Sequence, residues 1–477
     1  MKVFNKFLFL PVLLILHGSL MAQPLKVVFE IKNYDNDTLI IGNYYGERQI
    51  VKDTLYKVSK GKFVWNSEEK LAQGVYLALM KPSNTFIQFM VNENENQFSL
   101  MTDFKDIGHV KFKGSNDNEL FYGYMDYLKE KRVQADTLRS RIERATKAGL
   151  EDKESRQALE KLDKDVKKAQ HDLIEKHPKS LTALLLKGTG DIDVPEFEGL
   201  PADSIKMRRY YYYKEHYFDN IDMQHPALIR TPFIYHKIDT YMNKVVNQHP
   251  DTIIRAIDFV LLKLEGNTEA YRYFLAELLN KFATMKLVGY DAMYVHLVDN
   301  YYLKGKAPWI NEENLQKMKE NAGDLRPILI GKKMPDITTY KEDGSPVRLW
   351  SIQSPYTVVL FWAPDCGHCQ KSMPHIVEFY KKYKDKGVKL LSICTKGGDK
   401  MPTCWPAIEK EHMGDFINTA DEYSRYNMKI KIKSTPKIFI LDEHKEIIIK
   451  DIPAEEMDKV FQEILTIEEN KRKLEKR

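Results

Sequence analysis

Short apolar segments recur along residues 23–115 and alternate with turn-forming residues. They are rich in β-branched and aromatic residues, and clusters of Asn, Asp, Gly and Pro separate them. Such segments are typical of β-strands. The strands are predicted at residues 26–31, 38–41, 62–65, 75–79 and 86–90. We therefore expect residues 23–115 to form a small all-β domain, an antiparallel sandwich or barrel.

The apolar pattern becomes helical over residues 116–326. Between residues 119 and 176, leucine and isoleucine recur among many Lys, Glu, Arg and Asp residues, which predicts one or two long amphipathic helices. Pro and Gly divide the rest of the region into shorter helical stretches. These helices are predicted around residues 205–217, 231–247, 252–264, 268–282 and 290–302. The middle region is thus predicted to be mainly α-helical.

Strands and helices alternate from residue 327 to residue 477. Residues 356–361 are a continuous apolar run, which is typical of a buried parallel strand. Further strands are predicted at 388–393 and, as a hairpin, at 437–441 and 446–450, and helices at 366–383, 405–413 and 455–465. This order favours an α/β domain with helices on both faces of a sheet.

Composition indicates a globular protein with several domains. The chain has 477 residues, of which 43% are hydrophobic and 30% charged, and its formal net charge is +5. A chain of this length exceeds one ordinary hydrophobic core. The small net charge gives no reason to expect nucleic acid as a partner.

The first 22 residues have the pattern of a secretory signal peptide. Lys2 and Lys6 precede an apolar run at residues 7–16, and small residues follow before residue 23. The run is about half the length that a bilayer span needs, and no other stretch approaches about 18 uninterrupted apolar residues. We expect an exported protein, without stable membrane insertion after signal cleavage, in an oxidising compartment.

All four cysteines lie in one C-terminal stretch, at Cys366, Cys369, Cys394 and Cys404. So few cysteines in so long a chain do not make the disulfide framework of a small secreted domain. Cys366 and Cys369 form a C-x-x-C motif at the start of a predicted helix, within a βαβ pattern. That arrangement is typical of a redox-active dithiol.

The position of this motif suits thiol–disulfide exchange, which needs a thiolate nucleophile and a second thiol that resolves the mixed disulfide. The N-terminal end of a helix stabilises a thiolate at Cys366. Cys369 follows one helical turn later on the same face. Between them, Gly367 is expected to permit close approach, and His368 to place an imidazole near the thiolate.

Two prolines complete the pattern. Pro374 lies inside the predicted helix and is expected to kink it. Thr435 and Pro436 directly precede the strand predicted at residues 437–441, where an X-Pro turn is compatible with a cis peptide bond.

Together these motifs resemble the thioredoxin superfamily, and more closely its exported TlpA/ResA-like branch. The strand, the W-A-x-x-C-x-x-C motif, the helix proline and S-T-P occur in family order within about residues 328–470. The resemblance implies a thioredoxin-like domain at 327–477, in which Cys366 attacks and Cys369 resolves. It places these residues around the dithiol: Trp362, Pro364, Gly367, His368, Pro374, Thr435 and Pro436, the last as the cis-proline.

The resemblance also implies partners and a compartment. The clients would be cysteine-containing proteins, and a membrane or periplasmic thiol donor would recharge the dithiol. No cofactor and no metal is expected. The β-domain and the helical region are similar to the extensions carried by many such periplasmic proteins of Gram-negative bacteria, which predicts a periplasmic location.

Departures from the family pattern leave the direction of electron flow open. Leu360 stands where thioredoxin has a buried acidic residue, and Ser372 where ResA-like proteins often have glutamate; both acids aid proton transfer in their families. Gly367 and His368 form the dipeptide of protein disulfide isomerases, so isomerisation or oxidation competes with reduction. A further alternative is a binding or scaffold protein in which the thioredoxin fold serves as an interaction module.

Cys394 and Cys404 are ten positions apart. A structural or inert role is favoured for them over an auxiliary redox pair. A packed free thiol at Cys394 and a second disulfide both remain open. A four-thiolate zinc site would need a second closely spaced cysteine pair. A peroxidatic cysteine is disfavoured because Ala363 stands where threonine or serine would be needed.

Overall fold

The computed structural model describes residues 25–68, 71–93 and 95–475. The predicted signal peptide, residues 1–22, lies outside the described residues. Within the described ranges, no helix combines the length and the apolar character needed to cross a membrane.

Residues 25–113 form one eight-stranded sheet, which confirms the predicted all-β region. Its strands are β1 Leu25–Lys32, β2 Thr38–Tyr45, β3 Arg48–Ser59, β4 Lys62–Ser67, β5 Gly74–Met80, β6 Thr85–Val91, β7 Gln97–Asp103 and β8 Asp106–Lys113. Their spatial order is β6-β5-β2-β3-β4-β1-β7-β8. Although β1 and β6 are far apart in this order, the rings of Phe29 and Phe89 pack with centroids 5.5 Å apart. The sheet therefore folds over its own core, as in a sandwich.

Two details of this sheet differ from the sequence prediction. β1 and β7 pair in parallel, so the expectation of a purely antiparallel sheet is wrong. Several strands separate them along the chain, and no hairpin turn forces them to run in opposite directions. β3 was not predicted, because Leu55 is its single buried residue among twelve and no apolar alternation marks it. β7 and β8 were also not predicted.

The middle region is helical, as predicted. Its helices are α1 Asn116–Lys147, α2 Lys153–Lys176, α3 Leu181–Thr189, α4 Ala202–His216, α5 Ile234–Thr240, α6 Pro250–Leu264, α7 Thr268–Thr284, α8 Asp291–Leu297 and α9 Glu312–Leu325. Ser115 and Asp152 cap α1 and α2, because their side chains accept hydrogen bonds from backbone N–H groups of the first turn. α3 and α9 were not predicted. α3 is apolar on nearly every side and buried, so it lacks an amphipathic period.

The described chain divides into two compact units. One comprises the described residues up to 241 together with 263–270, and the other comprises 242–262 and the described residues from 271 onward. The middle helices are shared between the two units. The domain boundaries read from the sequence, at residues 115 and 326, stay predictions.

The C-terminal region contains a seven-stranded sheet in the order β10-β9-β13-β12-β11-β14-β15, which confirms the predicted α/β class. The elements are β9 Thr338–Tyr340, β10 Pro346–Arg348, β11 Tyr356–Trp362, α10 Gly367–Tyr383, β12 Val388–Cys394, α11 Cys404–Lys410, β13 Ile417–Ala420, β14 Lys437–Leu441, β15 Ile447–Lys450 and α12 Met457–Glu475. β11, β12 and β13 are parallel, and β14 and β15 form the predicted hairpin. β9, β10 and β13 were not predicted, because strands of three or four residues are too short to show the apolar alternation of a strand.

The central strand β11 is buried along its whole length. Val358 and Leu360 face one hydrophobic core, whereas Val359 and Phe361 face another. This alternation follows from the two-residue period of a strand. Because cores cover both faces, the end of β11 is held in a fixed position, and the predicted dithiol follows directly after it.

Candidate active site

The predicted dithiol lies at the carboxyl edge of the parallel strands. The chain leaves β11 at Trp362 and begins α10 at Gly367. In the register of the sheet, Trp362 lies beside Cys394, the last residue of β12. Parallel strands end at the same edge of a sheet, so the segments that follow β11, β12 and β13 meet there.

Cys366 is the N-cap residue of α10. Its Sγ accepts a hydrogen bond from the backbone N–H of Cys369, with Sγ and N 3.2 Å apart. The same sulfur lies 3.3 Å from the carbonyl oxygen of Thr435, to which the neutral thiol donates. Both cysteines are free thiols, but Cys366 is only half-buried whereas Cys369 is buried. Of the two sulfurs, Cys366 is the one placed to meet a partner.

The surroundings of Cys366 favour its thiolate. Burial is the largest single influence on this thiol and raises its pKa. Four hydrogen bonds lower the pKa, and they come from the Cys369 thiol, the Thr435 side chain and the backbone N–H groups of Cys369 and His368. Together they lower the pKa by more than burial raises it. The Thr435 carbonyl opposes them, since it accepts only from the protonated thiol. The net result is a pKa of Cys366 below that of an ordinary cysteine.

Cys369 has the opposite tendency. Burial, followed by the hydrogen bond that it donates to Cys366, raises the pKa of Cys369 to about 11. As the pH rises, Cys366 therefore ionises first, and Cys369 keeps its proton well above neutral pH. This difference separates the two thiols into one that ionises readily and one that stays protonated.

The predicted turn residues and the tryptophan lie around the dithiol. The Thr435–Pro436 peptide bond is cis. Trp362 is buried, and its Nε1 donates a hydrogen bond to Ser392 Oγ at 2.8 Å. The indole is therefore a packing residue beneath the site rather than an exposed contact.

The two other prolines belong to the same segment. The carbonyl oxygen of Pro364 accepts a hydrogen bond from Gln370 Nε2 at 2.9 Å, which ties the loop before the dithiol to the first turn of α10. Pro374 lies inside α10, where it lacks the N–H that a helical hydrogen bond requires.

Gly367 and His368 are both exposed. Apart from the chain neighbours and the backbone of its own helix, no described atom lies within 4 Å of the place that a Cβ atom on Gly367 would take. The glycine therefore leaves open surface beside Cys366, and its role in permitting close approach stays a prediction. The effect of His368 that the structure shows comes from its backbone N–H and not from its imidazole.

Leu360 and Ser372 stand at the two positions where related proteins carry an acidic residue. Leu360 is fully buried in β11, between Ser392 of β12 and Ile438 of β14. Ser372 is half-buried on α10. Neither position therefore offers an acid that could exchange a proton with Cys369, whose pKa is about 11.

Cys394 and Cys404 form a disulfide between the end of β12 and the start of α11, with Cα atoms 6.2 Å apart. Both residues are buried, at 1% and 0% exposure. The interpretation of Cys394 as a packed free thiol is therefore wrong. The cysteine spacing alone could not show the disulfide, because pairing depends on where α11 packs. Within the described ranges, no group of three or more His, Cys, Asp and Glu side chains is arranged to hold a metal ion.

An ion pair next to Cys366 was not predicted. Asp365, which directly precedes Cys366, pairs with Lys396 at 2.6 Å between Oδ2 and Nζ. Ser392, the partner of the Trp362 indole, was not predicted either. A serine inside the apolar strand β12 was a usable signal for the latter. The ion pair had no such signal, since its members are 31 positions apart.

The C-terminal region is similar to known proteins. Residues 329–465 match the Redoxin family. Over 129 residues the chain is 24% identical to thiol-disulfide oxidoreductase ResA of Bacillus cereus, covering 27% of this chain and 73% of that protein. The C-terminal region is a thiol–disulfide oxidoreductase domain of the thioredoxin superfamily.

A second family model and two solved structures are also similar to parts of the chain. Residues 163–326 match a domain of unknown function, DUF5106. A solved domain of a possible thiol-disulfide isomerase from Cytophaga hutchinsonii is 27% identical, with a TM-score of 0.28, and covers 30% of this chain and 98% of its own. A thioredoxin-like protein from Bacteroides caccae is 17% identical, with a TM-score of 0.44, and covers 58% of this chain and 98% of its own.

Proposed function

We propose that the chain is an exported enzyme that exchanges disulfides with cysteine-containing client proteins through Cys366 and Cys369. The opposite acidities of the two thiols carry this proposal. Cys366 is partly exposed with a lowered pKa, and Cys369 is buried with a pKa of about 11. A nucleophile that ionises easily beside a thiol that stays protonated is what stepwise exchange requires.

The exchange proceeds in two displacements. The Cys366 thiolate attacks one sulfur of a client disulfide, forms a mixed disulfide and releases the other client sulfur as a thiolate, which takes up a proton. Cys369 then loses its proton and attacks Cys366 Sγ. This step releases the second client thiol and leaves a Cys366–Cys369 disulfide. A thiol donor in the same compartment reduces that disulfide and completes the cycle.

A periplasmic location forms part of the proposal. The signal-like residues 1–22 support export. The Cys394–Cys404 disulfide supports it independently, because structural disulfides persist in oxidising compartments and are rare in the cytosol.

A second candidate function is that of a disulfide isomerase or oxidase. It is favoured by the Gly367–His368 dipeptide, which lies exposed beside the nucleophile. The reduction potential of the Cys366–Cys369 pair decides between the two, measured by equilibration of the full chain with glutathione buffers. A value near about −270 mV assigns reduction of clients, and one of about −180 mV or higher assigns isomerisation or oxidation.

Replacement of Cys369 tests the assignment of roles. Cys369→Ser removes the resolving thiol, so the mixed disulfide with a client cannot be displaced from within the site. We expect this variant, incubated with insulin, to accumulate an insulin adduct on Cys366 that dithiothreitol releases. Non-reducing electrophoresis and peptide mass spectrometry would show it.

The matched control for the trapping experiment is Cys366→Ser/Cys369→Ser, which should form no adduct. An adduct on Cys394 or Cys404, or equal trapping by the double variant, would contradict the proposed roles.

A further inference from the structure

The Cys394–Cys404 disulfide closes a loop at the edge of the sheet that carries the dithiol. Cys394 ends β12 beside Trp362 of β11, and Cys404 begins α11. The disulfide therefore fixes both ends of the segment between them, residues 395–403. With both cysteines buried, a client or a protein thiol cannot reach the disulfide without opening the domain. A redox relay through this pair does not fit that burial, whereas a structural role does.

The loop closed by this disulfide is attached to the segments around the dithiol. Thr395 donates two hydrogen bonds to the carbonyl oxygen of Trp362, from its backbone N at 2.8 Å and from Oγ1 at 3.1 Å. The backbone N of Gly398 donates to the carbonyl oxygen of Glu422 at 2.8 Å. Between these anchors, Lys396 reaches Asp365. The position of Lys396 relative to Asp365 thus depends on the path of residues 395–403.

Asp365 is an acidic residue next to the nucleophile in the sequence. It directly precedes Cys366 along the chain, and a carboxylate near a developing thiolate disfavours ionisation of the thiol. The hydrogen bond and the charge of Lys396 hold the pKa of Asp365 below its usual range, so the carboxylate is charged wherever Cys366 ionises. Lys396 is 23% exposed and Asp365 68% exposed, which makes the lysine the better fixed partner.

We propose that the Cys394–Cys404 disulfide holds Lys396 against Asp365, and that Lys396 is a positioning residue that compensates the negative charge beside the nucleophile. The inference rests on the proposed function, since it assigns a role in forming the Cys366 thiolate. Loss of Lys396 leaves the Asp365 carboxylate without its ion-pair partner and with only the weaker influence of Lys400, so the thiolate forms at a higher pH. Loss of the disulfide releases the loop and has the same consequence.

Other ionisable groups on the same elements remain unchanged in the test. Those in the first turns of α10, on the loop and beside the cis-proline are His368, Cys369, Lys371, Asp399, Lys400 and Lys437.

The test is the pH dependence of Cys366 alkylation by iodoacetamide in the reduced full chain, with the Cys366 peptide followed by mass spectrometry. In Lys396→Gln we expect the midpoint to move to higher pH and the rate below the midpoint to fall about threefold at low salt. The difference should shrink in about 1 M salt, because the pair is partly exposed. Lys396→Arg should keep the wild-type profile.

The second arm removes the opposing charge. Asp365→Asn/Lys396→Gln should return the midpoint to the wild-type value, and Cys394→Ala/Cys404→Ala should shift it in the direction of Lys396→Gln. A control is Lys384→Gln, which breaks a similarly exposed ion pair near the far end of α10. In that pair, Lys384 Nζ and Asp415 Oδ2 are 2.7 Å apart. It should leave the midpoint unchanged.

Two results would overturn the inference. An unchanged midpoint in Lys396→Gln removes the role of the lysine, and an unchanged midpoint in the double alanine variant removes the role of the disulfide. Neither readout requires client turnover. A chain that shows these shifts but reduces no insulin would contradict the proposed function and leave the positioning role of Lys396 standing.

Discussion

Cys366→Ser should abolish the dithiothreitol-driven reduction of insulin by the protein, with the rate falling at least about 100-fold to the uncatalysed background. The serine hydroxyl does not ionise near neutral pH and cannot form the mixed disulfide. Cys369 cannot replace the missing thiolate, because it is buried and its pKa is about 11. Turbidity from the precipitating insulin B chain measures the rate.

The matched control also removes cysteines but spares the dithiol. Cys394→Ala/Cys404→Ala should keep roughly a third or more of the rate, in line with the threefold effect expected for loss of Lys396 positioning. Equal rates for the wild-type chain and Cys366→Ser would mean that the dithiol is not catalytic. In that case the domain would be better explained as a binding or scaffold module.

Cys394→Ala/Cys404→Ala should also lower the free energy of unfolding of the thioredoxin-like domain by about 2–3 kcal/mol. A disulfide that spans a separation of ten residues restricts the unfolded chain by about that amount. The most protected backbone amides of β11 and β12 should then exchange with deuterium about 30- to 150-fold faster. Hydrogen exchange suits a chain of several domains, for which one unfolding transition is not expected.

The control for stability is Cys366→Ser, which keeps the disulfide and should leave the exchange of β11 and β12 amides unchanged. Unaltered protection in the double alanine variant would show that the loop between β12 and α11 is held by its packing and hydrogen bonds alone. A loss of protection confined to residues 395–403 would show that the disulfide acts on the loop without stabilising the domain.

Local patterns were sufficient for the elements around the dithiol. The apolar run of β11, the cysteine spacing and the turn at Pro436 each lie within a few consecutive residues, so the sequence carries their geometry directly. β3 could not be predicted in the same way, because only Leu55 among its residues is buried. The parallel pairing of β1 with β7 depends on how distant segments meet, and no local pattern records it.

The sequence by itself determined the class of chemistry, since two cysteines three positions apart at a helix start form a dithiol wherever the domain folds. It also determined the oxidoreductase fold, through motifs that occur in family order. The position of Cys366 at the helix start predicted its thiolate, but only the tertiary structure decided that burial keeps the proton on Cys369. It also decided that Cys394 bonds to Cys404 and that Lys396 pairs with Asp365. Acidity, disulfide pairing and ion pairing depend on burial and on distances between separate segments, and these exist only once the chain has packed.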